Sequence, residues 1–297
     1  MATDITVCIC TYKRPQFLRW LLENLDKQQI GKLTFSAVVV DNDSDRSAQQ
    51  AVKETASTLH YNVRYLCEPY KNIAAARNAA VRAVMQSPFL AFIDDDEFPQ
   101  DDWLSLMHRE CVGRGCDGVL GPVVPYFRAT APRWLVKSGL CDRRRFKTGT
   151  QLLFPKDMRT GNVFIKSEIF TRSNMFFDHN YGLTGGEDTE FFRKALDQGV
   201  AFSWCDEGVV YEEVPADRLT RKYHLKRALL RGTVNGRKTV VVSLPVFKSL
   251  VASVIYLPAL PFLHLAGHHH FMKYLVKSFD HLGLLLASMG IEVEKKR

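Results

Sequence analysis

The 297-residue chain has seven cysteines but no CxxC pair, and Cys8, Cys10, Cys67, Cys111, Cys116, Cys141 and Cys205 follow no regular spacing. That excludes a zinc ribbon or a disulfide framework read from spacing. Cys8 and Cys10 fall in an apolar strand pattern, so buried free thiols in a reducing cytosol are expected. The start, Met1-Ala2-Thr3-Asp4-Ile5, lacks a basic n-region, and its apolar run is broken by Thr11-Tyr12-Lys13-Arg14, so no secretory signal is expected. Internal repeats and low-complexity linkers are absent. No nucleic-acid motif and no aromatic-basic interleaving accompany the +8 net charge, so nucleic acid is not an expected partner. Glycine is missing from Thr11-Tyr12-Lys13-Arg14-Pro15, after the first strand, where a nucleotidyltransferase would place a Gly-rich phosphate loop.

What is present is a globular composition, 46% hydrophobic and 11% aromatic, in a chain long enough to bury a sizeable core. The first half alternates short apolar runs with helical patterns. Strands are expected at 5–10, 35–40, 63–66 and 89–93, and helices at 16–29, 47–59 and 73–86. The first helix carries Phe17, Leu18, Leu21, Leu22 and Leu25 on one stripe. Unbroken apolar strands separated by helices imply an α/β fold with a mostly parallel sheet covered on both faces. Right-handed crossovers then put the strand C-termini on one edge, where ligands bind. Short strands at 118–124, 162–165 and 201–205 and a helix at 185–197 follow. Residues 1–217 read as one domain.

Residues 218–297 differ. Basic residues gather from Arg218 to Lys238, then 249–267 carries no formal charge and nears the length that crosses a bilayer. Pro258, Pro261 and His264 weaken a straight helix there, so a kinked, re-entrant or interfacial element is expected, with His268-His269-His270 in a loop at a membrane surface. In 271–289, Met272, Leu275, Val276, Phe279, Leu282 and Leu286 form a stripe opposite Lys273, Lys277 and Asp280. Basic residues beside an apolar stretch fit an anionic membrane surface. A helical core annex is the competing reading.

Two acidic clusters carry the chemistry. Phe92-Ile93-Asp94-Asp95-Asp96-Glu97 ends a strand in four carboxylates, and Gly185-Gly186-Glu187-Asp188 opens a helix. Carboxylates this dense repel one another unless a cation sits among them or one stays protonated. A cation held by one or two carboxylates usually completes its shell with phosphate, which points to a nucleotide-diphosphate substrate. Asp41, at the end of a buried strand, can accept a hydrogen bond from an imide N–H such as that of uracil; a helix N-cap also fits 41–44.

The run Ile9-Cys10-Thr11-Tyr12-Lys13-Arg14-Pro15, Val39-Val40-Asp41-Asn42, Asn72-Ile73-Ala74-Ala75-Ala76-Arg77-Asn78, Ile93-Asp94-Asp95-Asp96 and Gly186-Glu187-Asp188 resembles the inverting family-2 glycosyltransferases of GT-A fold. The resemblance covers residues 4–217. Within that family, Val119-Leu120-Gly121-Pro122-Val123, Ala131-Pro132-Arg133-Trp134, Thr160-Gly161-Asn162, Thr189 and Pro215 bring it nearest to the bacterial exopolysaccharide glucosyltransferases of succinoglycan synthesis.

The resemblance implies a Rossmann-like sheet and transfer of a hexose from a nucleotide-diphosphate sugar, a UDP-sugar in the first instance. The acceptor would be a lipid-linked saccharide at the cytoplasmic face of the bacterial inner membrane, reached by peripheral or monotopic attachment. It implies a divalent cation, Mg²⁺ or Mn²⁺, on Asp96 and Asp94, and Asp188 as the base that takes the acceptor proton, with Glu187 orienting the site or capping the helix. Thr11, Tyr12, Arg14, Asp41, Asn72, Arg77, Asp94 and Asp95 are the implied donor contacts, although Asp95 points to the other side of its extended segment and also fits as structural. Gly185, Gly186 and Trp103 are the candidate acceptor contacts; for Trp103 packing of the helix after the acidic cluster is the first reading and sugar stacking the second. The two clusters are then expected to face each other across a sugar. Where many family members have His after the final strand, this chain has Tyr211, followed by Glu212. A non-catalytic membrane scaffold on the same fold is the remaining rival.

Overall fold

The computed structural model describes residues 3–172, 175–183, 185–236 and 243–291. Met1–Val124 with Arg143–Glu212 form one compact unit, and Pro125–Asp142 with Glu213–Arg297 form a second. The division expected at residue 217 lies near the Glu212/Glu213 divide. Residues 125–142, expected in the first part, group with the second.

The first unit starts with β1 (Ile5–Thr11), α1 (Pro15–Leu25), β2 (Phe35–Asp41), α2 (Gln49–Ala56), β3 (Asn62–Cys67), α3 (Ile73–Ala83) and β4 (Phe89–Asp94). It continues through β5 (Glu97–Pro99), α4 (Trp103–Arg114) and β6 (Gly118–Leu120). Next along the chain come β7 (Val123–Tyr126), α5 (Arg133–Ser138), β8 (Gln151–Leu152), β9 (Asn162–Lys166), α6 (Glu168–Arg172), α7 (Glu187–Asp197), β10 (Phe202–Trp204) and β11 (Val210–Glu213). The main sheet has eight strands in the order β3-β2-β1-β4-β9-β6-β10-β8. β3, β2, β1 and β4 are mutually parallel, as are β6 and β10, while β9 runs antiparallel between β4 and β6.

The strands alternate their side chains between two cores. Cys8, Val38, Val40 and Phe92 enter one; Val7, Ile9, Ala37, Val39, Ala91 and Ile93 enter the other. Helices cover both. α1 begins at Pro15, which has no N–H to leave unpaired, and turns Leu18, Leu21, Leu22 and Leu25 inward. Full burial of each leucine contributes roughly 1.5–3 kcal/mol. Beyond Leu25 the stripe ends and the chain tightens into short turns (Lys27 N to Asn24 O, 3.2 Å), so the helix stops before the expected residue 29. On the opposite face, α3 lays Ala74, Ala75, Ala76 and Ala80 against the sheet, and these small side chains let the helix come close.

The second unit contains α5, α8 (Arg221–Gly236), α9 (Leu244–Ala266) and α10 (His268–Ser288). Its core gathers Ala228, Met272 and Val276 with Trp134, Leu140, Leu225 and Phe279, which is why residues 125–142 belong here. Among the described residues one helix, α9, is long and apolar enough to cross a membrane, with mean hydropathy 1.8. α9 stays helical through Pro258 and Pro261. One expectation is corrected: His268-His269-His270 form the first turn of α10, not a loop. Of the basic stretch 218–238, Arg237 and Lys238 lie outside the described residues.

Candidate active site

The C-terminal ends of β1, β2 and β4 bring Thr11, Asp41 and Asp94 to one sheet edge, since Thr11 registers with Asp41 and Cys10 with Asp94. Beyond β2, Asn42 ties the loops together. Its Oδ1 accepts from the Asn72 N–H at 2.8 Å, and its Nδ2 donates to the Glu68 and Tyr70 carbonyls at 2.9 and 2.6 Å. Asn72 caps α3, its Oδ1 accepting from the Ala75 N–H at 3.0 Å, and donates through Nδ2 to the His179 carbonyl.

Asp41 is fully buried. Its Oδ2 accepts from the Ala48 N–H at 2.8 Å and the Tyr65 hydroxyl at 3.0 Å, while Oδ1 makes no hydrogen bond of normal geometry. Burial raises its pKa, against those two donors. Unlike the satisfied Asp95, Asp41 keeps a buried acceptor without a partner at the sheet edge, which suits an N–H donor. Tyr12 is 36% exposed, with the Lys71 ammonium 4.3 Å from its ring centroid. Lys13, at φ 55, adopts a left-handed conformation unusual for a non-glycine and pairs with Asp43 at 3.7 Å and Asp45 at 3.6 Å.

The first acidic cluster divides by environment. Asp95 is buried and accepts from Thr11 Oγ1 at 2.7 Å and Arg14 at 3.2 Å; burial pushes its carboxyl up to about 6. Thr11 is buried as well. These two side chains brace the strand ends, which agrees with the structural reading of Asp95. Arg14 also donates to Asp96 at 2.9 Å. Asp94 keeps 47% of its side chain open. Its pKa is raised, first by burial and then by Asp96, with Arg77 opposing. Glu97 is buried, accepts from the Asp94 N–H at 3.0 Å and is pushed well above the usual carboxylate range, by burial and then by Asp94. Gly161 sits against this pair: a Cβ there would lie 2.7 Å from Glu97 Oε1 and 3.2 Å from Asp94 Oδ2.

Asp94 and Asp96 form an all-oxygen, mutually repelling donor set, the chemistry that suits a hard divalent cation. Among the described residues no group of three His, Cys, Asp or Glu side chains is arranged to hold a metal alone. These two carboxylates therefore fit a cation that takes its other ligands from a diphosphate.

The second cluster is built by a turn. Gly185 (φ 82) and Gly186 (φ 99) adopt conformations that L side chains rarely reach and deliver Glu187 and Asp188 into the first turn of α7. Carboxylates there complement the positive helix end. Glu187 is buried and ion-paired with Arg77, whose Nη2 lies 3.6 Å from Asp94 Oδ1. Arg77 thus joins the clusters, and Glu187 is committed to it. Asp188 is half-buried, and its Oδ1 accepts from the Thr189 N–H at 2.7 Å. The segment leading to this turn is held to α3 by Asn78, which donates to the Phe177 carbonyl at 2.8 Å and lies 3.0 Å from His179 Nε2.

Trp103 packs α4, as its first reading expects: it is fully buried, and its Nε1 donates to Asn162 Oδ1 at 2.9 Å, so the second reading, a sugar stacked on the ring, is corrected. Asn162 in turn donates to the Pro122 and Gly208 carbonyls at 3.0 and 2.8 Å. Sequence reading missed the place of Arg143, which ion-pairs with Glu212 and opposes the upward shifts of Asp94 and Glu97. Arg143 opens the basic run Arg143-Arg144-Arg145, which nothing local links to the acidic cluster. Asn42 and Gly161 stood within the motifs of the resemblance without a role of their own.

The chain is 30% identical over 236 residues to the succinoglycan biosynthesis protein ExoM of Rhizobium meliloti, covering 78% of this chain and 74% of that one. Among solved structures, a mannosyltransferase of Pyrobaculum calidifontis in complex with GDP-Man and Mn²⁺ superposes with TM-score 0.62 at 18% identity, over 97% of this chain and 87% of that one. Residues 1–349 of Staphylococcus aureus TarS in complex with UDP superpose with TM-score 0.57 at 18% identity, over 97% of this chain and 90% of that one. These likenesses establish the GT-A fold. The profile "Glycosyl transferase family 2" matches residues 6–180, more than half of the sequence, and on that match and the ExoM identity the chain belongs to glycosyl transferase family 2.

Proposed function

We propose that this chain is an inverting, metal-dependent hexosyltransferase that uses a nucleotide-diphosphate sugar to extend a lipid-linked saccharide in exopolysaccharide synthesis. The observation that carries the reading is Arg77, bonded to Glu187 and 3.6 Å from Asp94, which draws the two acidic clusters into one site. Asp188, adjacent to the committed Glu187 and half-open, takes the proton of the acceptor hydroxyl as its oxygen attacks the anomeric carbon in line. Asp94 and Asp96 would hold a divalent cation, which would supply positive charge to the departing diphosphate. Asp41 Oδ1 receives the nucleobase N–H, with Tyr12 and Arg14 beside the donor. Gly185 and Gly186 let the backbone approach the acceptor. The likeness to ExoM, a succinoglycan biosynthesis protein, supports the exopolysaccharide assignment, and the solved relatives support a nucleotide-sugar donor and Mn²⁺. The apolar α9 supports membrane attachment, which we assign to the cytoplasmic face of a bacterial inner membrane.

Isothermal calorimetry of UDP, GDP and their sugars, with Mn²⁺, with Mg²⁺ and with chelator, tests the reading. Metal-dependent nucleotide binding is expected. No heat with any nucleotide would leave the non-catalytic scaffold as the better account.

A further inference from the structure

α9 and α10 form an antiparallel hairpin whose register is fixed by side-chain contacts along its length. Near one end His281 Nδ1 lies 3.0 Å from Ser249 Oγ. At the middle the Tyr256 and Tyr274 rings meet at 5.2 Å, and near the other end His264 meets Phe271 at 5.2 Å. Lys273 and Lys277, both exposed, therefore stand level with the centre of α9. Lys277 lies over the Tyr274 ring at 4.8 Å, beside the seam.

α10 is also fastened to α8. A Cβ on Gly232 would overlap the Asp280 carbonyl, and one on Gly283 the Leu229 carbonyl, so these helices touch backbone to backbone. Arg231 pairs with Asp280 at 2.9 Å, and Lys222, Lys226 and Arg227 line the exposed side of α8. α9 cannot enter a bilayer end-on without carrying Lys273 and Lys277 to mid-depth, where ions are strongly disfavoured.

The outer face of α9 has the opposite character. Phe247, Val254 and Leu265 are 63%, 74% and 85% exposed and fall on one stripe with Pro258 and Pro261. Neither proline has an N–H, so the carbonyls of Val254 and Leu257, one turn earlier, lose their regular partners and need water nearby.

We propose that α9 lies in the plane of an anionic membrane, its Phe247–Val254–Leu265 stripe in the interfacial layer and Lys273 and Lys277 at headgroup level, and that it does not cross the bilayer. The proposal rests on the membrane-attachment part of the reading above and is independent of the reaction. Tyr256 and Tyr274 at the seam suit the same depth.

Three full-length variants, Phe247→Trp, Val254→Trp and Leu265→Trp, place probes along about 27 Å of helix. Each is mixed with vesicles of phosphatidylcholine and phosphatidylglycerol brominated either high on the acyl chain or near its end, with wild-type fluorescence subtracted. The expected result is equal loss of fluorescence at all three positions, strongest with the shallow bromines. Deep quenching of Val254→Trp with shallow quenching of the other two shows a spanning helix and overturns the proposal. No quenching and no flotation with vesicles overturns membrane attachment itself, while nucleotide calorimetry judges the enzymatic reading separately. Lys273→Gln and Lys277→Gln should each weaken vesicle binding about fivefold at low salt; unchanged affinity in the double variant overturns the headgroup contact.

Discussion

Arg77 donates a hydrogen bond to Glu187 across 110 residues of chain, and both side chains are buried. A buried ion pair adds little net stability over a well-packed apolar pair, but losing one partner strands the other charge. Arg77→Ala should therefore lower unfolding stability by about 3–5 kcal/mol. Glu187→Gln, which keeps an acceptor for Arg77, should cost less. Urea unfolding of the two variants checks the ranking. Equal stability of Arg77→Ala and wild type would show that the pair does not hold α7 to α3.

Asp188 is the neighbour of that pair but does not share its bond. Asp188→Asn keeps the size and the acceptor that the Thr189 N–H uses, so the fold should be unchanged. Loss of a general base should reduce turnover by roughly a hundred- to ten-thousand-fold. Nucleotide affinity by calorimetry should stay near wild type. Unchanged turnover would remove Asp188 from the mechanism.

The strands that end at this site were legible because each is an apolar run closed by polar residues. β1, β2, β3 and β4 all start and end within one residue of their expected bounds. β9 was visible as a strand, but not as the antiparallel element that divides the sheet, because hydrophobic periodicity carries no direction. The acidic clusters were equally plain as residues. The partners that hold them were not: Asp95 is bonded to Thr11 and Arg14, and only a fold places those beside it. The partner of Trp103 was hidden in the same way, since nothing near it in the chain points to Asn162.

Asp41 offers a direct test of nucleobase recognition. Asp41→Asn retains an amide oxygen for the Ala48 N–H and Tyr65 hydroxyl, while removing the charge from the unpaired Oδ1 position. Hydrogen bonds to charged groups contribute about 1.5–3 kcal/mol, so UDP affinity should fall roughly ten- to a hundredfold. Affinity for inorganic pyrophosphate with metal, which has no base, should not change. A parallel loss for both ligands would assign Asp41 to holding the sheet edge alone.

The second unit should weaken in acid for a reason confined to it. His224 is buried, its Nε2 makes no hydrogen bond, and Trp134 meets its ring edge-on at 5.9 Å. Burial lowers its pKa below the usual 6.5, Arg227 adds to this, and the Arg218 carbonyl opposes it. The folded state therefore refuses a proton that the unfolded chain accepts. This contribution is fully present above the unfolded pKa and is lost as pH falls through it toward the folded value. Amide exchange in α8, followed from about pH 7.5 to about pH 5 and corrected for intrinsic rates, should show falling protection below the unfolded value. His224→Phe keeps the ring packed on Trp134 and cannot titrate, so its protection should vary less with pH over that range. If both proteins lose protection equally, the acid sensitivity arises elsewhere in the second unit, and His268, whose pKa is also lowered by burial, becomes the residue to replace.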